Sequence, residues 1–190
     1  MKISALAVKF AEVNQSLVIG DCILVESDGF VPDAIEWFQN GKISHVAIYI
    51  GEDSIVEATE TGVKKNPVNK FYDTKYNWCI RRIKGLSIEQ ENKMKEIALN
   101  LVGKPYDFFQ FIGLAIFFLV KKLTGKKYYK LIGQSGDDLM ICSEIFGKAA
   151  LCAGIDLFPG IELKAITPQM LYETDRMFTV KELTHLWTIG

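Results

Sequence analysis

The sequence predicts one mixed domain, a small antiparallel sheet accompanied by helices, and three observations predict it. Residues 42–51, KISHVAIYIG, alternate as a strand does and lead through turn residues into a second β-rich run. Residues 87–103 read as a capped amphipathic helix. At 190 residues with 49% hydrophobic and 24% charged side chains, the chain suits one core and carries no signature of disorder. We therefore expect a single domain over 1–190.

The elements follow in order. GDCILVES (20–27) is a short β-rich run after a Gly-Asp turn, and PDAIEWFQNGK (32–42) reads as a short helix stopped by Gly41. In SHVAIYIG, His45, Ala47 and Tyr49 share one strand face while Val46, Ile48 and Ile50 share the other. Glu52, Asp53 and Ser54 then supply a turn before the returning strand, so the pair reads as a hairpin. NPVNK is expected to form a loop anchored by Pro67, with a third strand around Trp78 to Ile83. In the helix that follows, Ser87 and Gln90 make a capping box, Met94, Ile97 and Leu101 form the apolar stripe, and Gly103 before Pro105 ends it.

FFQFIGLAIFFLV (108–120) is shorter than the roughly 20 residues that a membrane-spanning helix needs, so it is expected to be a buried helix. Lys121 and Lys122 follow it at once, which keeps open a peripheral contact with a membrane surface through 108–130. The lysines of 121–130 read first as a solvated surface. Beyond the polar loop GQSGDD (133–138), LMICSEIFGKAALCAGI reads as a helix with Ile145, Ala149 and Cys152 on its apolar side and Cys142 in its first turn.

Charge and cysteine usage narrow the class. A net charge of −1 and a pI near 6.2 give no general basic face for nucleic acid. Four widely spaced cysteines contain no CxxC pair, which argues against a zinc ligand set or a disulfide framework and for free thiols. Lys9 and Glu12 interrupt the N-terminal apolar stretch before a secretory signal could develop, so a cytoplasmic location is expected.

The chemistry rests on Cys142 and His45. Unpaired amides and the partial positive charge at a helix N-terminus favour a thiolate, so Cys142 is placed to be a nucleophile. His45 could take its proton, and an acidic residue could hold the imidazole in the useful tautomer. If Glu52, Asp53 and Ser54 form a three-residue loop, Gly51 pairs with Ile55 and Glu57 lies opposite Tyr49 on the face of His45. A loop of two or four residues would turn Glu57 away, since a one-residue slip reverses the faces, and Glu60 is the reserve. Each residue also has a plainer reading: a core thiol, a strand-end histidine, a surface glutamate. His185, in KELTHLWTIG, reads as structural.

GDCILV, ISHVAIYIGEDSIVEAT and ICSEIFGKAAL resemble the circularly permuted branch of the NlpC/P60 papain-like superfamily, which includes YiiX-like proteins and is related to lecithin:retinol acyltransferase. There the histidine strand precedes the cysteine helix, as here. The resemblance, which runs from about Gly20 to about Thr167 and takes in GKPYD (103–107) as a joint, implies an α+β fold with a small antiparallel sheet and the nucleophile at a helix N-terminus. It makes Cys142 the nucleophile, His45 the base and Glu57 the orienting residue of an acyl-transfer reaction that needs no cofactor. The long apolar and lysine-rich insertion before the cysteine helix departs from the family pattern.

What the resemblance implies about substrate divides. The NlpC/P60 enzymes point to a thiol hydrolase that cleaves an amide in a peptide, such as a cell-wall stem peptide, through a thioester acyl-enzyme. The related acyltransferases point to a lipid acyl hydrolase or acyltransferase. A non-catalytic module that binds lipid or peptide is the third possibility. The expected partner is thus a peptide or small acyl substrate; the oligomeric state is left open.

Overall fold

The computed structural model describes residues 12–26, 43–59, 61–72, 77–105 and 142–183, among which six antiparallel strands are accompanied by helices. Strands β1 (Cys22–Glu26), β2 (His45–Gly51), β3 (Ser54–Thr59) and β4 (Gly62–Pro67) are followed by a 3-10 turn (Val68–Tyr72) and β5 (Asn77–Ile83). Helices α1 (Ile88–Asn100), α2 (Cys142–Cys152) and α3 (Pro168–Glu173) precede the last strand, β6 (Met177–Leu183). The sheet order is β4-β3-β2-β1-β5-β6, so β1 lies in the interior between the hairpin strand β2 and β5. This is the α+β architecture expected.

Both faces of the sheet are covered, which is why its central strands read as apolar runs. One face carries Cys22, Leu24, Val46, Ile48, Val56 and Cys79 against Met94 and Ala98 of α1 and Ile145, Phe146 and Ala149 of α2. The other carries Ile23, Val25, Ala47, Tyr49, Ile55 and Trp78 against Val13 and Leu17 and against Val68 and Phe71 of the 3-10 turn.

Helix α1 starts where the capping box places it. The Gln90 amide donates to Ser87 Oγ at 3.2 Å, and the Ser87 amide donates to Gln90 Oε1 at 3.1 Å. Met94, Ala98 and Leu101 are buried, and Ile97 packs at the core's edge. Helix α2 is buried almost all round, from Cys142 to Ala150. Cys152 was expected on its apolar side; it is the last residue of the helix and is exposed. Gly147 lets α2 approach the 163–166 turn: a Cβ there would lie 2.9 Å from Ile166 Cδ1.

Two strands correct the sequence reading. Residues 62–67, whose end at Asn66 and Pro67 was read as the start of a loop, form β4, and β6 was not anticipated. Both lie at sheet edges, where one polar side is free to face water and Pro67 can end a strand without breaking a ladder. The proposed helix at 32–42, the apolar segment 108–120, the lysines of 121–130, the loop 133–138, Glu60 and His185 lie outside the described residues.

Candidate active site

The hairpin settles which face Glu57 takes. Its turn has two residues, Glu52 and Asp53, both at positive φ (54° and 52°), as a type I′ turn requires. Gly51 therefore pairs with Ser54, not with Ile55. A two-residue turn alone would send Glu57 to the opposite face from His45. However, Tyr49 pairs with Ile55, so Ile50 is an extra, bulged residue that shifts the register by one. The two departures from the three-residue loop cancel in face, and Glu57 lies opposite Ala47 instead of Tyr49, closer to His45.

His45 is the first residue of β2, and its Nε2 lies 2.7 Å from Glu57 Oε2. The other carboxylate oxygen, Oε1, accepts from Asn66 Nδ2 at 2.8 Å and from the Lys70 ammonium. Glu57 is 1% exposed, so these three donors substitute for its lost hydration. The Phe71 ring lies 6.3 Å from the imidazole, centroid to centroid, and backs it from the sheet side. His45 keeps 24% of its side chain exposed.

Cys142 opens α2 and is buried. Its side chain acts directly on the His45 imidazole, whose Nε2 is engaged by Glu57. Helix α2 packs on β2, which carries the sulfur to the strand end where His45 stands. Thus the structure brings Cys142, His45 and Glu57 together in one line of contacts. It also adds two residues that the sequence reading missed, Asn66 and Lys70. The signal for Asn66 was strand alternation: Ile55 pairs with Asn66, which puts it on the face of Glu57, but this becomes visible only once β4 is recognised.

The electrostatics follow from this line. Burial of the ring favours neutral imidazole, but the hydrogen bond to Cys142, then that to Glu57, and the negative charge of both outweigh it and push His45 up to about 9. Burial works in the same way against the Glu57 carboxylate. The His45 hydrogen bond and charge, with the hydrogen bonds from Lys70 and Asn66, overcome it and hold Glu57 down at about 2. Across the neutral range the site favours an imidazolium next to sulfur and a carboxylate behind it. Among the described residues, no three His, Cys, Asp or Glu side chains come together as a metal-holding group.

Comparison with known proteins identifies the family. The family model of permuted papain-like amidase enzymes, the YaeF/YiiX or C92 peptidase family, matches residues 16–113, just over half of the chain. The chain belongs to this family. The matched stretch holds His45 and Glu57, while Cys142 lies beyond it. A probable lipoprotein peptidase, YaeF of Escherichia coli strain K12, is 26% identical over 89 residues, 47% of this chain. The match spans only 32% of that relative's length. Among solved structures, metalloprotein yiiX from Escherichia coli O157:H7 superposes with a TM-score of 0.63 at 21% identity, covering 87% of this chain and 97% of that one. That likeness is one of fold. Among the described residues, no helix is long and apolar enough to cross a membrane.

Proposed function

We propose that the protein is a cysteine amidase that cleaves an amide bond in a peptide, with Cys142 as nucleophile, His45 as proton carrier and Glu57 as the group that orients the imidazole. The observation that carries this reading is the His45 imidazole that meets Glu57 through Nε2 and responds directly to the Cys142 side chain. Membership in a family of amidases and the peptidase name of the Escherichia coli K12 relative support it. A cell-wall stem peptide is the substrate we favour.

The steps follow from the charges. With His45 protonated, the Cys142 sulfur attacks the amide carbonyl as a thiolate, and the carbonyl oxygen gains the negative charge. Amides in the first turn of α2 have no intrahelical partner, so the Cys142 N–H is a donor for that oxyanion. Collapse breaks the C–N bond as the imidazolium gives its proton to the leaving nitrogen. Neutral His45 then takes a proton from water, whose oxygen attacks the thioester, and returns it to the departing sulfur. Glu57 stays ionised throughout and keeps the imidazole turned to sulfur.

The test uses the full chain and short lysine- or diaminopimelate-containing peptides, with products followed by mass spectrometry. Cys142→Ala is expected to lower cleavage at least about a thousandfold, because the covalent step is gone. Cleavage that survives this change, or a wild-type protein that cleaves no peptide amide, overturns the reading.

A further inference from the structure

We propose that Lys70 is a positioning residue of this site, holding Glu57 ionised and turned toward His45 from a separate turn of the chain. The inference rests on the amidase reading above and adds to the site a residue that the reaction never touches.

Consider what surrounds Glu57. His45 faces it from β2, Asn66 and, opposite in register, Lys64 face it from β4, and Lys70 faces it from the 3-10 turn; Cys142 reaches the far side of the imidazole from α2. Of the groups that bond Glu57 directly, only Lys70 brings a permanent positive charge, since Asn66 is neutral and His45 must lose and regain its proton in each cycle. When His45 is neutral, a buried carboxylate with only neutral donors would tend to pick up a proton. A protonated Glu57 has one acceptor fewer and no charge with which to hold the imidazole. The Lys70 ammonium prevents that lapse.

The turn is built to hold it there. Val68 is fully buried, and its amide donates to Asp53 O at 2.8 Å, which ties the turn to the hairpin tip. Phe71, the next residue after Lys70, is 3% exposed and backs the His45 ring, while Lys70 Nζ lies 5.2 Å from the Phe71 centroid. One turn thus supports both members of the pair: its aromatic ring lies against the imidazole, and its ammonium group binds the carboxylate.

The experiment compares Lys70→Met, Lys70→Gln and Lys70→Arg with wild type in two independent readouts. The first is the NMR titration of the Glu57 carboxyl carbon, which requires no turnover. In wild type Glu57 remains ionised to about pH 2. Lys70→Met should move its midpoint up by about one pH unit, Lys70→Gln by less, and Lys70→Arg hardly at all. The second is peptide cleavage, where Lys70→Met should lower kcat about tenfold with KM nearly constant, and Lys70→Arg should restore it. An unmoved Glu57 midpoint in Lys70→Met and Lys70→Gln, or a kcat loss that arginine fails to rescue, overturns the proposal. If wild type cleaves no peptide amide, the amidase reading fails and the Glu57 titration still decides the role of Lys70.

Discussion

Two carboxylates are buried in this sheet, and they are held in opposite ways. Asp21, 0% exposed, sits in the fork of Arg82: Nε donates to Oδ1 at 2.7 Å and Nη2 to Oδ2 at 2.8 Å, while the Val18 amide donates to Oδ2. The same Arg82 also donates to Ser16 O, so the pair pins the start of β1 and the residues before it to β5. Glu57, 1% exposed, is bound by separate side chains from three elements, and one of them is a titrating ring. A permanently charged, planar partner makes a clamp. By contrast, a partner that exchanges its proton makes a centre whose charge can move.

Breaking the clamp should therefore cost stability, and breaking the centre should cost activity. Arg82→Met leaves Asp21 charged, buried and short of donors, and it is expected to lower unfolding free energy by about 3 kcal/mol or more in urea titrations, with activity per folded molecule little changed. Glu57→Gln keeps the shape and removes the charge. It should lower peptide cleavage by about tenfold to a hundredfold, and the alkaline limb of the rate profile should fall from about 9 toward the ordinary imidazole value of 6.5.

The same exchange has a stability signature, and its sign differs at the two ends of the pH scale. His45 is raised on folding, so its contribution is full below 6.5 and lost as pH rises through about 9. Glu57 is lowered on folding, so its contribution is full above 4.5 and lost as pH falls through about 2. Thermal midpoints of wild type should decline at both ends, and those of Glu57→Gln should lose much of both slopes. The smallest effect sharpens the contrast by touching neither carboxylate: Ser87→Ala removes one half of the α1 capping box and should cost about 1 kcal/mol at every pH.

How much of this was legible beforehand depended on whether the signal was local. The α1 cap is a pattern four residues long, and the structure realises it bond for bond. The alternation of His45, Ala47 and Tyr49 likewise reads directly, because strand geometry acts residue by residue. The hairpin register was another matter. Positive φ at Glu52 and Asp53 is uncommon outside glycine and asparagine or aspartate, and a bulge at Ile50 leaves no mark in composition, so the true pairing of Glu57 with Ala47 was beyond reading. Pro67 disguised the end of an edge strand as a loop, which hid Asn66, while Lys70 lies in the 3-10 turn that follows. Cys152 looked apolar by helical spacing; Ile145 and Ala149 on that stripe are buried, but Cys152 is the last residue of α2 and is exposed.

The order of elements along the chain carries one more consequence. His45 and Glu57 belong to strands that neighbour each other in sequence, whereas Cys142 arrives roughly a hundred residues later. A ribosome adding about 5–20 residues per second leaves an interval of several seconds or more in which the hairpin exists without its sulfur. On the proposed chemistry, a nascent chain carries half a site that is chemically inert, and the thiol becomes competent only when α2 docks beside β2. Assembly of the reactive pair is a late event of synthesis, written into the topology.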